Sequence, residues 1–216
     1  MNAFNRENAR SPWPVERNPM PAFDLSTFPV LVTSRLVLRQ IAAEDSADLF
    51  GFLSDPEVQK YDSEPPLGEA GEAAALIEKM LGWYHEGQAL NWGVTQRGEN
   101  RLVGFVGFYF WDRVYFKADL GYTLARPYWG QGFASEAVRA LIWFGFEKLE
   151  LHRINVDTRM DNLASLRLME RLSFRHEGTR RECERSRDGS YQNWGLFGML
   201  EDEYRALALA RAAGQA

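Results

Sequence analysis

Apolar residues along this chain recur with two different periods, and the switches between them predict an alternation of strands and helices. Leu36 to Gln40 alternates as a strand, and Glu44 to Leu53 reads as a short helix with Leu49, Phe50 and Leu53 turned inward. From about Glu69 to His85, the residues Ala73, Leu76, Ile77, Met80, Leu81 and Tyr84 fall on one face, the signature of an amphipathic packing helix. Strands follow at 91–96 and 101–110, joined by a tight turn from Arg97 to Asn100. A further strand, Ala118 to Ala125, runs into the turn Pro127-Tyr128-Trp129-Gly130-Gln131-Gly132. Beyond it Ala134, Ala137, Val138, Leu141, Ile142 and Gly145 recur at i, i+3, i+4, i+7, i+8 and i+11, so a helix buries one face there. The remainder reads as a strand from Arg153 to Thr158, a helix from Asn162 to Leu172, and a closing antiparallel pair at 174–181 and 192–200.

This order predicts an α/β (α+β) domain: a mixed, mostly antiparallel sheet of about seven strands with helices on both faces. Three segments are expected: an extended arm over residues 1–30, a domain over 31–204 and a helical tail over 205–216. The arm follows from five prolines between Met1 and Pro29, which forbid a helix. No internal repeat is visible.

Composition narrows the class. A chain of 216 residues, 45% hydrophobic and 13% aromatic, is able to bury a full core as one domain. It has no apolar run of about 18 residues and no signal-like amino terminus, so no membrane association and a cytoplasmic location are expected. With 25 basic and 30 acidic side chains the net charge of −5 opposes a broad nucleic-acid surface and favours cationic acceptors. The arginines between Arg175 and Arg187 are interleaved with acids, as on a solvated hairpin. The single cysteine, Cys183, lies in that charged run and is not assigned a role. His85, His152 and His176 lack metal-ligand spacing, so no metal is expected.

The chemistry concentrates at the strand, glycine turn and helix between Leu120 and Leu141. Gly130 and Gly132 let the backbone turn tightly and approach a ligand, and the following helix points unpaired N–H groups at whatever sits there. An anion is the natural occupant. A triphosphate loop is excluded because Phe133 and Ala134, not Lys and Ser or Thr, follow Gly132. Gly130, Gly132 and Ser135 also fit the dinucleotide fingerprint poorly.

The segment PYWGQGFASEA instead resembles motif A of the GNAT acyltransferases, with Trp129, Gly132 and Ala134 at its three marked positions. Trp129 departs from the Arg or Gln usual at the first. HRINVDTRMDNLASLRLMERLSFRHEG, from His152 to Gly178, resembles the later strand, helix and strand of that family, and RLVLRQIAAEDSADLF resembles its start. The wording is similar to the branch that acetylates ribosomal-protein N-termini (RimJ/RimL-like). Together the matches run from about Arg35 to Glu203.

The resemblance implies a GNAT fold, splayed between the strands ending near Leu124 and starting near Arg153, and acetyl-CoA as co-substrate. It gives the backbone of Tyr122, Thr123 and Leu124 to the pantetheine arm, and the N–H groups of Gln131, Gly132, Phe133, Ala134 and Ser135 to the diphosphate. Trp129 either packs on the pantetheine or is a core aromatic under the turn. Asn162 either bonds the pantetheine or caps its helix. Ser165 either protonates the departing thiolate or back-bonds within the helix. The usual acid, a tyrosine, is replaced by Met169, so Ser165, a nearby tyrosine such as Tyr122, or water must substitute. Asp119 is the first candidate base and Asp157 the second, with Asp62, Glu64 and Glu69 as candidates for a cationic acceptor. Ser173 replaces a glycine where φ above zero is wanted.

The implied activity is acetyl transfer by direct attack of a primary amine, a protein N-terminus or a small molecule. The alternative is an acyl-CoA-binding sensor that lost catalysis, motivated by Trp129 and Met169. Aromatics such as Trp111 and Tyr115, expected to be exposed, together with the arm suggest a homodimer.

Overall fold

The structure, a computed structural model, describes residues 26–214. Most of the arm expected over 1–30 lies outside those residues. In chain order the elements are β1 (Leu31–Val32), β2 (Leu36–Gln40), α1 (Ser46–Leu53), α2 (Ala70–His85), β3 (Leu90–Gln96), β4 (Leu102–Asp112), β5 (Lys117–Leu124), α3 (Phe133–Glu147), β6 (Arg153–Arg159), α4 (Leu163–Arg171), β7 (Arg175–Arg185), β8 (Tyr191–Leu200) and α5 (Glu201–Ala212). Among the described residues no helix is long and apolar enough to cross a membrane.

The eight strands form one sheet in the order β1-β2-β3-β4-β5-β6-β8-β7. The expected seven become eight because β1 has only two residues, too few to show a period. All neighbours are antiparallel except β5 and β6. That parallel pair requires a crossover, and α3 supplies it.

Two apolar clusters cover the two faces. On one, Ala137, Val138, Leu141 and Phe144 of α3 pack with Leu36, Leu38, Trp92, Val106 and Phe108 of the sheet and Leu168 and Met169 of α4. On the other, Leu49, Phe52 and Leu53 of α1 and Ala73, Ile77 and Met80 of α2 pack over Ile41, Leu102 and Phe105. Phe52 rather than Phe50 is the buried aromatic of α1. A 3-10 turn at Ala43–Asp45 precedes that helix, and Phe50 is half-buried at the edge of the same cluster. Trp111 is half-buried with the Arg113 guanidinium over its ring, whereas Tyr115 is exposed.

Ser173 has φ 65° at the end of α4. The Phe174 N–H reaches back to the Met169 carbonyl at 3.0 Å, closing the helix around that left-handed residue.

Candidate active site

β5 and β6 pair only at Lys117, Ala118 and Asp119 opposite Arg153, Ile154 and Asn155. On its other edge β6 pairs with β8 along its whole length, from Arg153 to Arg159, but past Asn155 it has left β5. Among the described residues, the edge of β5 from Leu120 to Leu124 therefore faces a gap in the sheet with no strand against it. At the crotch, Asn155 Nδ2 donates to Asp119 Oδ1 at 2.8 Å, and Arg153, ion-paired with Glu177, donates to Asn155 Oδ1. The Asp119 carboxylate is thus oriented by a chain of polar groups running to the surface.

Strand alternation sends the side chains of β5 to opposite faces. Ala118, Leu120, Tyr122 and Leu124 face the α3 cluster. Asp119, Gly121 and Thr123 face the α1 and α2 side, where Tyr109 lies opposite Asp119 on β4 and over Gly121. On the α3 side the Tyr122 hydroxyl donates to Ser165 Oγ at 2.8 Å. Burial pushes the Tyr122 phenol up, and its bond to Ser165 only partly offsets this. Ser165 is buried at the start of α4, and its N–H donates to Asn162 Oδ1 at 3.1 Å. Asn162 therefore does cap the helix, with its amide Nδ2 left to point elsewhere. Met169, where an acid was sought, is fully enclosed in the core.

At the open end of the gap, a 3-10 turn at Arg126–Tyr128 leads into the glycine turn. Gly130 and Gly132 have φ 73° and 80°, left-handed values that L side chains rarely adopt. Gly132 is the N-cap of α3, and the first intrahelical bond runs from the Glu136 N–H to its carbonyl at 3.0 Å. The N–H groups of Phe133, Ala134 and Ser135 precede that bond and so have no partner within the helix. Phe133 buries its ring beneath them. The side chain of Gln131 folds back, Nε2 donating to the Pro127 carbonyl at 2.7 Å.

Trp129 is 45% exposed, so it is not a core aromatic under the turn. Its indole Nε1 donates to the Leu124 carbonyl at 2.8 Å and straps the turn to the end of β5. A large apolar residue beside two glycines reads as core by composition, but the turn projects it outward.

Glu136, in the first turn of α3, accepts from the Thr33 hydroxyl (2.6 Å), the Ser34 hydroxyl (2.9 Å), the Arg35 N–H (2.8 Å) and Arg35 Nε (2.6 Å). Burial opposes ionisation of this carboxyl, yet the four donors outweigh it and hold the pKa down at about 2. A folded-state value of about 2 against 4.5 unfolded contributes stability above pH 4.5 that is lost as pH falls toward 2. Glu136→Gln is expected to lose at most about 3 kcal/mol at pH 7, since the Arg35 share is screened by solvent. Urea unfolding of both proteins should show the difference shrinking as pH falls below 4.5. A gap that stays constant with pH would disprove the linkage.

The loop between α1 and α2 meets the β7–β8 hairpin on the Asp119 side of the sheet. Ser63 Oγ donates to Glu184 Oε1 at 2.6 Å, and Trp194 Nε1 donates to Glu184 Oε2 at 2.7 Å. Arg187 donates to the Glu64 carbonyl, and Arg159 Nη1 to Ser186 Oγ at 3.0 Å. Burial pushes the Tyr109 phenol well above its usual range, with the Asp62 charge adding to the effect. Asp62 and Glu64 therefore sit at this mouth, whereas Glu69 is the N-cap of α2. Asp157 is ion-paired with Arg180.

Tyr109, Asn155 and Glu184 were not singled out by the sequence. Alternation alone places 105, 107 and 109 on one strand face. The facing residue depends on the β4–β5 register, which periodicity does not give.

The acetyltransferase (GNAT) domain family matches residues 35–175, more than half of the chain. The uncharacterized N-acetyltransferase p20 of Bacillus licheniformis is 37% identical over 174 residues, covering 81% of this chain and 97% of that protein. A GNAT-family acetyltransferase structure from Bacillus anthracis superposes with a TM-score of 0.73 at 27% identity, covering 81% of this chain and 100% of that one. RimL, a ribosomal L7/L12 alpha-N-protein acetyltransferase solved with coenzyme A, superposes with a TM-score of 0.74. It covers 81% of this chain and 99% of its own at 21% identity, a likeness of fold alone. A splayed sheet, a glycine turn opening a helix, and matches of this extent converge on one conclusion: the chain belongs to the GNAT family and is an acyl-CoA-dependent N-acetyltransferase.

Proposed function

We propose that this protein moves the acetyl group of acetyl-CoA to a primary amine, a protein N-terminus or a small molecule, by direct attack on the thioester. One observation carries the reading. The gap between β5 and β6 has a carboxylate, Asp119, on one face and a hydroxyl pair, Tyr122 and Ser165, on the other. Direct transfer needs these two functions on opposite sides of the reacting carbon.

In this scheme the pantetheine arm lies along the free edge of β5, and the diphosphate rests on the N–H groups of Gln131 through Ser135. The amine enters between the α1–α2 loop and the β7–β8 hairpin, and Asp119 takes its proton directly or through water. The amine nitrogen bonds to the carbonyl carbon as the C–S bond breaks. The departing sulfur takes the Ser165 proton, Tyr122 replaces it and regains its own from solvent, and the surplus proton on the new amide nitrogen is lost to solvent. The acidic and aromatic mouth at Asp62, Glu64, Tyr109 and Glu184 suits a cationic acceptor that must shed a proton before reacting. The acceptor named for RimL makes a protein N-terminus the first to test.

Thiol release should be followed with N-terminal peptides, polyamines, aminoglycosides and amino acids as acceptors. Turnover with at least one is the expected result. Release at background throughout, with CoA still bound tightly, would favour a non-catalytic acyl-CoA sensor instead. Asp119→Asn is expected to cut kcat by about 10²-fold or more and to flatten the rise of rate with pH. An unchanged pH–rate profile would dismiss Asp119 as the base.

A further inference from the structure

The glycine turn offers an anion less positive charge than its helix suggests. The side-chain N–H groups of Trp129 and Gln131 are both already engaged, by the carbonyls of Leu124 and Pro127. What remains is backbone N–H and the half-charge of the helix terminus, roughly +0.5. Glu136 places a full negative charge in that same first turn. A diphosphate with two negative charges would meet repulsion there unless a cation stood by.

Arg35 stands there, although it lies 101 residues earlier than Glu136 in the chain. Its Nε donates to Glu136 Oε2 at 2.6 Å and its Nη1 to the Gln131 carbonyl at 2.9 Å. The guanidinium carbon is 4.6 Å from the centre of the Phe133 ring, so the plane is held against the helix start. The remaining nitrogen, Nη2, lies 3.4 Å from the point where a Cβ on Gly132 would stand. Among the described residues it has no hydrogen-bond partner. The side chain is 47% exposed and lines, with Gly132, Ser135 and Arg139, a groove of about 930 Å³ running along α3.

We propose that Arg35 is a cation of the diphosphate site, donating from Nη2 to a phosphate oxygen over Gly132 while Nε and Nη1 fix the turn beneath it. The assignment rests on acetyl-CoA being the donor, as proposed above. It explains the geometry on both sides of the turn. The planar fork of arginine lets one side chain grip Glu136, hold the Gln131 carbonyl and present a third edge to the ligand. The absence of a Cβ at Gly132 keeps that edge open.

The test compares two acyl donors, acetyl-CoA and S-acetylpantetheine, which carries the same thioester without the diphosphate. Arg35→Gln is expected to lower kcat/KM for acetyl-CoA roughly tenfold to a hundredfold, as for a lost charge-assisted hydrogen bond. With S-acetylpantetheine it should be unchanged. Equal losses on both donors would mean that Arg35 merely holds the fold, and no loss on either would remove it from the site. Should Arg35→Gln unfold, Arg35→Lys carries the same comparison, and is expected to keep part of the preference for acetyl-CoA. A lysine variant that loses the two donors equally overturns the proposal. Failure of the donor reading looks different, because the wild-type protein would then bind no CoA in calorimetry and turn over neither thioester.

Discussion

Gly132→Trp is expected to abolish CoA binding while leaving the fold in place. Gly132 caps α3 at φ 80°, beneath the N–H groups proposed to hold the diphosphate. A side chain here would stand between those donors and the ligand, and beside the Arg35 Nη2 at 3.4 Å. Losing two or three charge-assisted hydrogen bonds at about 1.5–3 kcal/mol each weakens binding by at least a hundredfold to a thousandfold. The left-handed conformation costs an L residue about 1–2 kcal/mol, which an ordinary folding margin tolerates. Gly130→Ala is the matched control. It has a similar φ of 73°, yet a Cβ there meets nothing within 4 Å. It should therefore melt at a similarly lowered temperature but retain CoA in calorimetry. Equal CoA affinity in Gly132→Trp and wild type would refute the location of the diphosphate.

Removing the Tyr122–Ser165 pair is the second large effect. Ser165→Ala is expected to lower kcat about 10²-fold with little change in the KM for acetyl-CoA, because the hydroxyl acts on the leaving sulfur rather than on binding. Tyr122→Phe should lower it by a comparable factor, since the phenol supplies the proton that Ser165 passes on. The double variant should be scarcely worse than either single one if the two hydroxyls form a relay. Fully multiplicative losses would show that they act separately. Burial raises the Tyr122 pKa, so the phenol stays protonated through neutral pH and any fall in rate from its ionisation lies above its usual range near 10. A fall below that value that vanishes in Tyr122→Phe would contradict this assignment.

The elements with strong local periods were legible in the chain. α2 lies within about a residue of its expected bounds, α3 contains the whole periodic run from Ala134 to Gly145, and the glycine turn falls where its residues placed it, because helix phase and left-handed turns are written in residues three to eight apart. β1 was invisible because two residues have no period. In α1 Phe52 is the more buried aromatic because it stands at i+3 from Leu49 on the face that Leu53 shares, with Phe50 half-buried at its edge. Trp129 was the residue most easily misjudged, since its hydrophobicity suggests burial and only the turn geometry sends it outward to meet Leu124.

The residues of the site follow the same division. Asp119, Ser165, Asn162 and the segment Gln131 to Ser135 were named from sequence because a short motif carries them. The contacts that join them were not. Tyr122 lies 43 residues before Ser165, Asp119 36 before Asn155, and Ser63 121 before Glu184. The pattern of apolar and polar positions by itself determined which segments are strands and helices, which faces are buried, and where an anion is able to meet a helix terminus. Only the tertiary structure decided that β5 and β6 part after Asp119, and that Arg35 comes to rest on Gln131 and Glu136. Those outcomes depend on strand order and register, which arise from packing summed over the whole sheet and leave no local trace in the chain.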